Sequence, residues 1–261
     1  MSRFFVYGIL PPLEFGSRPE LPSRSLSELF ELNLTTQALK KVHILKLWID
    51  ISNIYGFFQD SVFDSRGNYS KSTIKALIAN QEELPSYVIE FFQTYEKDEE
   101  RKKYFPELIS RYFREEKKVA TGCLADFLTF EHDIRILFAG FRAKKAGIDL
   151  AKELQFEDMG DAIVTTVLMQ KDKAGDFQFP LEYEELESAL KIAGTNPSKQ
   201  YEEIARFRFK FYIKYFSNYS FSLEGILAYM IALWILEDFF ALKREEGETF
   251  LSNIVERGYV S

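Results

Sequence analysis

A mainly α-helical fold is what this sequence predicts, and three observations carry the prediction. Only 13 Gly and 8 Pro interrupt 261 residues, few turn formers for a meander of short strands. Apolar residues recur at three- and four-residue steps over long stretches, the period of a helix face. The aromatic load is high: 26 Phe, 14 Tyr and 2 Trp make up 16% of the chain. Such side chains wedge long helices apart and hold them. A chain of this length buries roughly 70–75% of its unfolded surface, which fits one large domain or two small ones.

Taken in order, Phe4 to Leu10 is a short apolar run that ends at Pro11-Pro12, and a short strand is expected there. Ser25 to Leu32 opens a first helix, with Ser25 as cap and Glu28 completing a capping box. From Gln37 to Gln59, Leu39, Val42, His43, Leu47, Ile51, Ile54 and Phe58 follow a helical period, and residues 60–72 form a polar break. Helical patterns follow at Ser72 to Gln81 and Pro85 to Tyr95, before a dense charge run from Glu96 to Lys103. Pro106 suits the first position of a long helix. That helix is expected to break near Gly122, and the next carries Phe127 to Lys145 with Gly147 as its cap.

Leu181 to Lys191 reads as a short helix between Pro180 and Gly194, with residues 194–198 as a linker. Gln200 to Phe216 sets Ile204, Phe207, Phe211, Tyr212, Tyr215 and Phe216 on one broad face, although residues 206–211 also alternate as a strand would. Ser222 to Arg244 is the strongest helix. Ser222 caps it, Glu224 suits the positive end of its dipole, Lys243 and Arg244 suit the other end, and Gly247 is expected to stop it. It is apolar on every side from Ile226 to Leu236, so it belongs at a centre. One helical domain is expected, with sub-units of about 1–81, 82–194 and 195–261.

Composition narrows the function classes. With 33 Lys+Arg against 40 Asp+Glu, the net charge is −7 and disfavours a nucleic-acid surface. A single cysteine, Cys123, forms no intrachain disulfide and fits a reducing compartment. Cys123 and His132 alone make no zinc site. The apolar start lacks the small-residue cleavage site of a signal peptide. The longest uncharged apolar stretch, Gly225 to Leu236, falls short of the roughly 20 residues that span a bilayer. Sequons beginning at Asn33, Asn68 and Asn218 are read as chance matches. A soluble, cytoplasmic protein without a transmembrane segment is expected.

Three helices share a theme in which an acid follows apolar residues. They are Leu47-Trp-Ile-Asp50 followed by Asn53, Phe130-Glu131-His-Asp133 followed by Arg135, and Trp234-Ile-Leu-Glu237-Asp238. The second and third run on into basic stretches around Arg142 and Lys243. This weak repeat points to three stacked helical units.

No catalytic motif stands out. Residues 67–72 end in Lys-Ser but lack the glycine that must precede the lysine of a P-loop. Glu131 and Asp133 lie two apart, on different sides of a helix. Glu157, Asp158 and Asp161 could cluster as carboxylates, but they read as a solvated loop or helix start. Glu237 and Asp238 follow an apolar run, and each is expected to meet a cation or a helix N-terminus rather than a substrate. The alternation Arg206-Phe-Arg-Phe-Lys-Phe reads as core rings with rim cations, not a base-stacking platform. No metal or cofactor is expected. A carboxylate enzyme using Asp133 and Glu237 is the rival reading, and a free-standing helical scaffold a third.

The stretch from Phe221 through Glu224 and Tyr229 to Glu237, then Leu242 to Gly247 and Ile254, resembles the C/d family of central-stalk proteins of V-type ATPases, the C form being bacterial and archaeal and the d form eukaryotic. The usual "E-x-x-N-L-R" run of that family is altered here to Glu237-Asp-Phe-Phe-Ala-Leu-Lys-Arg, and Glu131-His-Asp133-Ile-Arg135 followed by Arg142 and Gly147 looks like the same motif one unit earlier. The start, Phe4 to Leu13 and Ser27 to Glu31, is similar to a bacterial family of V-type ATPase-associated proteins that also carries Trp48-x-Asp50-x-x-Asn53. The resemblance implies a helical funnel of three pseudo-repeats, non-enzymatic, seated between the rotor shaft and the membrane ring. It implies the V-type ATPase shaft and ring as partners, peripheral attachment to the membrane through them, and Asp50, Asn53, Glu131, Asp133, Arg135, Arg142, Glu224, Tyr229, Glu237 and Asp238 as structural or partner-interface residues.

Overall fold

The structure, a computed structural model, describes residues 3–59, 61–80 and 84–258, with side chains to Arg244. Its elements are α1 (Arg3–Ile9), α2 (Ser23–Asn33), α3 (Thr36–Gln59), α4 (Lys71–Asn80), α5 (Ser86–Thr94) and α6 (Asp98–Val119). Then come α7 (Cys123–Ala146), α8 (Leu150–Glu153), α9 (Ala162–Leu168), a 3-10 turn at Leu181–Tyr183, α10 (Glu184–Ala193), α11 (Pro197–Asn218) and α12 (Leu223–Gly258). The fold is mainly α, and no strand occurs among the described residues.

Two compact units divide the chain, one of residues 1–39 with 180–261 and one of residues 40–179. The division does not follow the expected boundaries near 81 and 194. In the first unit α12 is the central helix. Every residue from Gly225 to Leu236 is buried, with α11 packed along α12 and with α1 and α2 also against it. Ser222 Oγ accepts from Gly225 N at 3.1 Å, the cap that the sequence predicted. The stretch Leu223–Arg244 is long and apolar enough to cross a membrane, although no uncharged run reaches that length. Yet 67% of its apolar window is buried inside the protein, the behaviour of a core helix.

In the second unit α7 holds the corresponding place. It packs on α6, α8 and α9, and α5 lies against α6. Phe91, Phe92, Tyr112 and Phe127 are all but inaccessible there. Burying each such ring contributes about 1.5–3 kcal/mol, so the aromatic load sits where it stabilises most. Gly122 (φ 60°) starts α7 and Gly147 (φ 67°) ends it, both as expected. Ile148 N donates to Ala143 O at 2.8 Å, closing the last turn.

Four expectations are corrected. Residues 4–10 are mostly helix, not strand. Val6 is fully buried and Tyr7 stacks on Phe216 at 4.6 Å, so helical packing outweighs β propensity. Pro106 lies inside α6 rather than at its start. The charge run supplies the first turn, where Asp98, Glu99 and Glu100 meet the positive end of the dipole. Gly247 does not end α12, which continues to Gly258, since an interior glycine costs only about 1 kcal/mol. The Ser25 capping box is unused: α2 begins two residues earlier, and Glu28 pairs with Arg24 at 3.3 Å.

Candidate functional site

Three polar joints, each at least partly buried, stand out, one on each long helix of the weak repeat. On α3, Asp50 is 1% exposed. Its carboxylate accepts from Asn68 N at 2.9 Å, Asn68 Nδ2 at 2.7 Å and Tyr69 N at 3.3 Å. One turn on, Asn53 clamps both backbone groups of Asp64, donating to its O and accepting from its N at 2.8 Å each. The polar break is therefore a fastened loop that delivers the chain into α4. Burial pushes the Asp50 carboxyl above its ordinary pKa, against the lowering pull of its donors.

On α12, Glu237 accepts from Ser23 N at 2.8 Å and from Ser23 Oγ, so it caps the first residue of α2. This is the helix N-terminus that the sequence reading expects for this acid. Pro22 precedes Ser23 and has no side-chain group to do the same. Eight residues earlier, Tyr229 is fully buried and donates to Pro11 O at 2.9 Å. Glu224 is half-buried in the first turn of α12, and Asp238 is half-buried beside Glu237.

On α7 the polarity is reversed, because cations there hold acids of the segment leading to α9. Glu157, with a side chain 5% exposed, receives Arg135 Nη2 at 2.5 Å and His132 Nε2 at 3.3 Å. The single hydroxyl proton of Ser110 on α6 is shared between Phe156 O at 2.7 Å and the Glu157 carboxylate at 3.1 Å. Asp161 caps α9 through Ile163 N and pairs with Lys117 of α6 at 2.9 Å. His132 Nδ1 makes no hydrogen bond and stands 3.8 Å from both Asp133 and Asp161. A cavity of about 250 Å³ opens beside these groups, lined in part by Arg114, Lys118 and Asp158.

Burial works against charge on Glu157 and Asp161, yet their cationic partners outweigh it. Both carboxyls are held below their ordinary range, Glu157 by His132 and Arg135, Asp161 mainly by Lys117. Burial likewise opposes the charge on His132, and Lys117 and Arg135 repel it. Its acidic neighbours Asp133 and Glu157 prevail, and its pKa is raised.

Asp133 and Arg135 thus come together with His132, while Glu131 is half-buried on the same helix. Arg142 is exposed and lies over the Phe138 ring at 5.6 Å. Glu157 and Asp161 were read as solvated from the sequence, and for Glu157 burial overturns that. Leu154 and Phe156 beside it were the available sign. Asp161 is the helix start that the same reading allowed. Among the described residues no group of His, Cys, Asp and Glu is arranged to hold a metal ion.

Fold and joints together define a mainly helical protein in which carboxylates, held by amides, a serine or cations, fasten short helices or the segments leading into them to long helices. The chain belongs to the DUF2764 family, described as protein of unknown function, whose profile matches residues 1–258. Uncharacterised proteins from Chlamydia trachomatis serovar D and Chlamydia muridarum are 27% and 26% identical to it over 212 residues, 79% of each chain. One from Chlamydia pneumoniae is 25% identical over the same share. No solved structure matches the chain.

Proposed function

We propose that this protein is a non-enzymatic central-stalk component of a V-type ATPase or ATP synthase, akin to the C/d family, that links the rotor shaft to the membrane ring in ion transport. One observation supports the reading above others. Part of the resemblance falls on α3, α7 and α12, and in each of these helices one of its residues fastens another segment: Asp50 the loop into α4, Arg135 the segment before α9, Glu237 the start of α2. A spacer under torque needs such joints, because a helix whose entry is anchored by charge-assisted hydrogen bonds resists fraying. In that role the protein sits on the cytoplasmic side, peripheral to the membrane through its partners.

The test is co-purification. A tagged chain, expressed in a cell that makes the V-type shaft proteins and ring, should recover both in one complex. Recovery with partly assembled intermediates alone would make it an assembly factor. Recovery with neither would leave a free-standing scaffold and end the proposal.

A further inference from the structure

The second unit holds a histidine whose surroundings tolerate one charge state. His132 is one of two histidines in the chain, and its side chain is 5% exposed. Nε2 faces a carboxylate oxygen of Glu157 at 3.3 Å, while Nδ1 faces Asp133 and Asp161 at 3.8 Å each. Ionised carboxylates only accept hydrogen bonds. A neutral imidazole carries one N–H and one lone pair, so either tautomer would aim its lone pair at a carboxylate. Only the imidazolium presents a proton on both sides.

The remaining charges around the ring are accounted for. From its own helix come Asp133 and Arg135, from the segment before α9 come Glu157 and Asp161, and from α6 comes Lys117. The Phe113 ring lies 5.3 Å from the imidazole, and Arg114, Lys118 and Asp158 line the adjoining cavity. Lys117 and Arg135 are engaged by Asp161 and Glu157. The imidazolium therefore supplies the further positive charge that three carboxylates share.

We propose that His132 is a pH-dependent latch: its imidazolium holds residues 154–161 against α6 and α7, and loss of its proton loosens that segment and widens the cavity beside Ser110. The raised pKa sets the sign. A histidine whose pKa is higher folded than unfolded adds stability that is full below about pH 6.5 and is lost as pH rises through the folded value. Glu157 and Asp161, lowered on folding, add stability that is lost as pH falls through their folded values. The latch is therefore tightest on the mildly acidic side of neutrality.

Two measurements on the full chain decide it. The imidazole resonances of His132 and the exposed His43, distinguished with H43Q, should give a His132 midpoint above about 6.5. Amide exchange across 154–161, corrected for its intrinsic pH dependence, should lose protection as pH rises through that midpoint. The loss is up to about tenfold per unit by which the midpoint exceeds 6.5. In H132Q the protection of 154–161 should no longer follow pH in this range, and E157Q should move the His132 midpoint down. A His132 midpoint below 6.5, or an H132Q exchange profile that tracks wild type, overturns the proposal. Should H132Q fail to fold, the wild-type titration and exchange profile decide alone.

Discussion

At the scale of single residues, the polar joints leave little room for change, and Gly67 is the sharpest case. A Cβ added there would lie 2.3 Å from Asp50 Oδ1 and 3.2 Å from its Cγ. Asp50 cannot swing away without abandoning the Asn68 and Tyr69 amides. Gly67→Ala should therefore cost about 1–3 kcal/mol, read as a melting temperature lower by about 2–4 °C per kcal/mol. An unchanged melting temperature would mean that the loop yields freely. The weak repeat marked Asp50 and Asn53, and Glu237 was marked as an acid after an apolar run that must find a donor; all three accept from a backbone amide. The sequence reading named His132 and Glu157 only to set them aside, one as half of a zinc pair and the other as a solvated acid. Their meeting depends on residues 25 apart in sequence being folded together, and no spacing along one helix encodes that.

At the scale of elements, periodicity made the long helices legible. α12 was readable because twelve consecutive apolar positions need burial all round, and α7 because glycines with positive φ bracket it. The short elements were not. A run as brief as Phe4 to Leu10 satisfies strand and helix patterns alike, and only contact with α12 and α2 decides. Close packing also sets a limit within α7. A Cβ on Gly140 would lie 2.6 Å from Val167 Cγ1 and 2.8 Å from Phe177. Although alanine favours helix by about 1 kcal/mol, Gly140→Ala should destabilise on balance, by about 1–3 kcal/mol of overpacking less that gain. Adding Val167→Ala should restore part of the loss in a denaturant titration. A neutral single variant would show that α9 can shift aside.

For the whole molecule, the two units differ in how the chain builds them. Residues 40–179 form a continuous stretch with their own buried aromatic cluster. A fragment of residues 36–179, keeping α3 whole, should show a helical circular dichroism spectrum and a cooperative melt. A non-cooperative melt would refute its independence. The sequence foretold the helical class but not this division, because the first unit joins segments from opposite ends of the chain and local patterns say nothing of such distant pairing.

That distant pairing has a consequence for biosynthesis. Ser23 and the Glu237 that caps it are 214 residues apart. At about 5–20 residues per second, a ribosome needs roughly 10–40 s to pass from one to the other. Throughout that interval Val6, Leu26 and Phe30, all buried in the finished protein, have no α12 to cover them. If the middle of the chain folds first, as predicted for residues 36–179, the nascent N-terminal segment stays a sticky apolar surface until the last helix emerges.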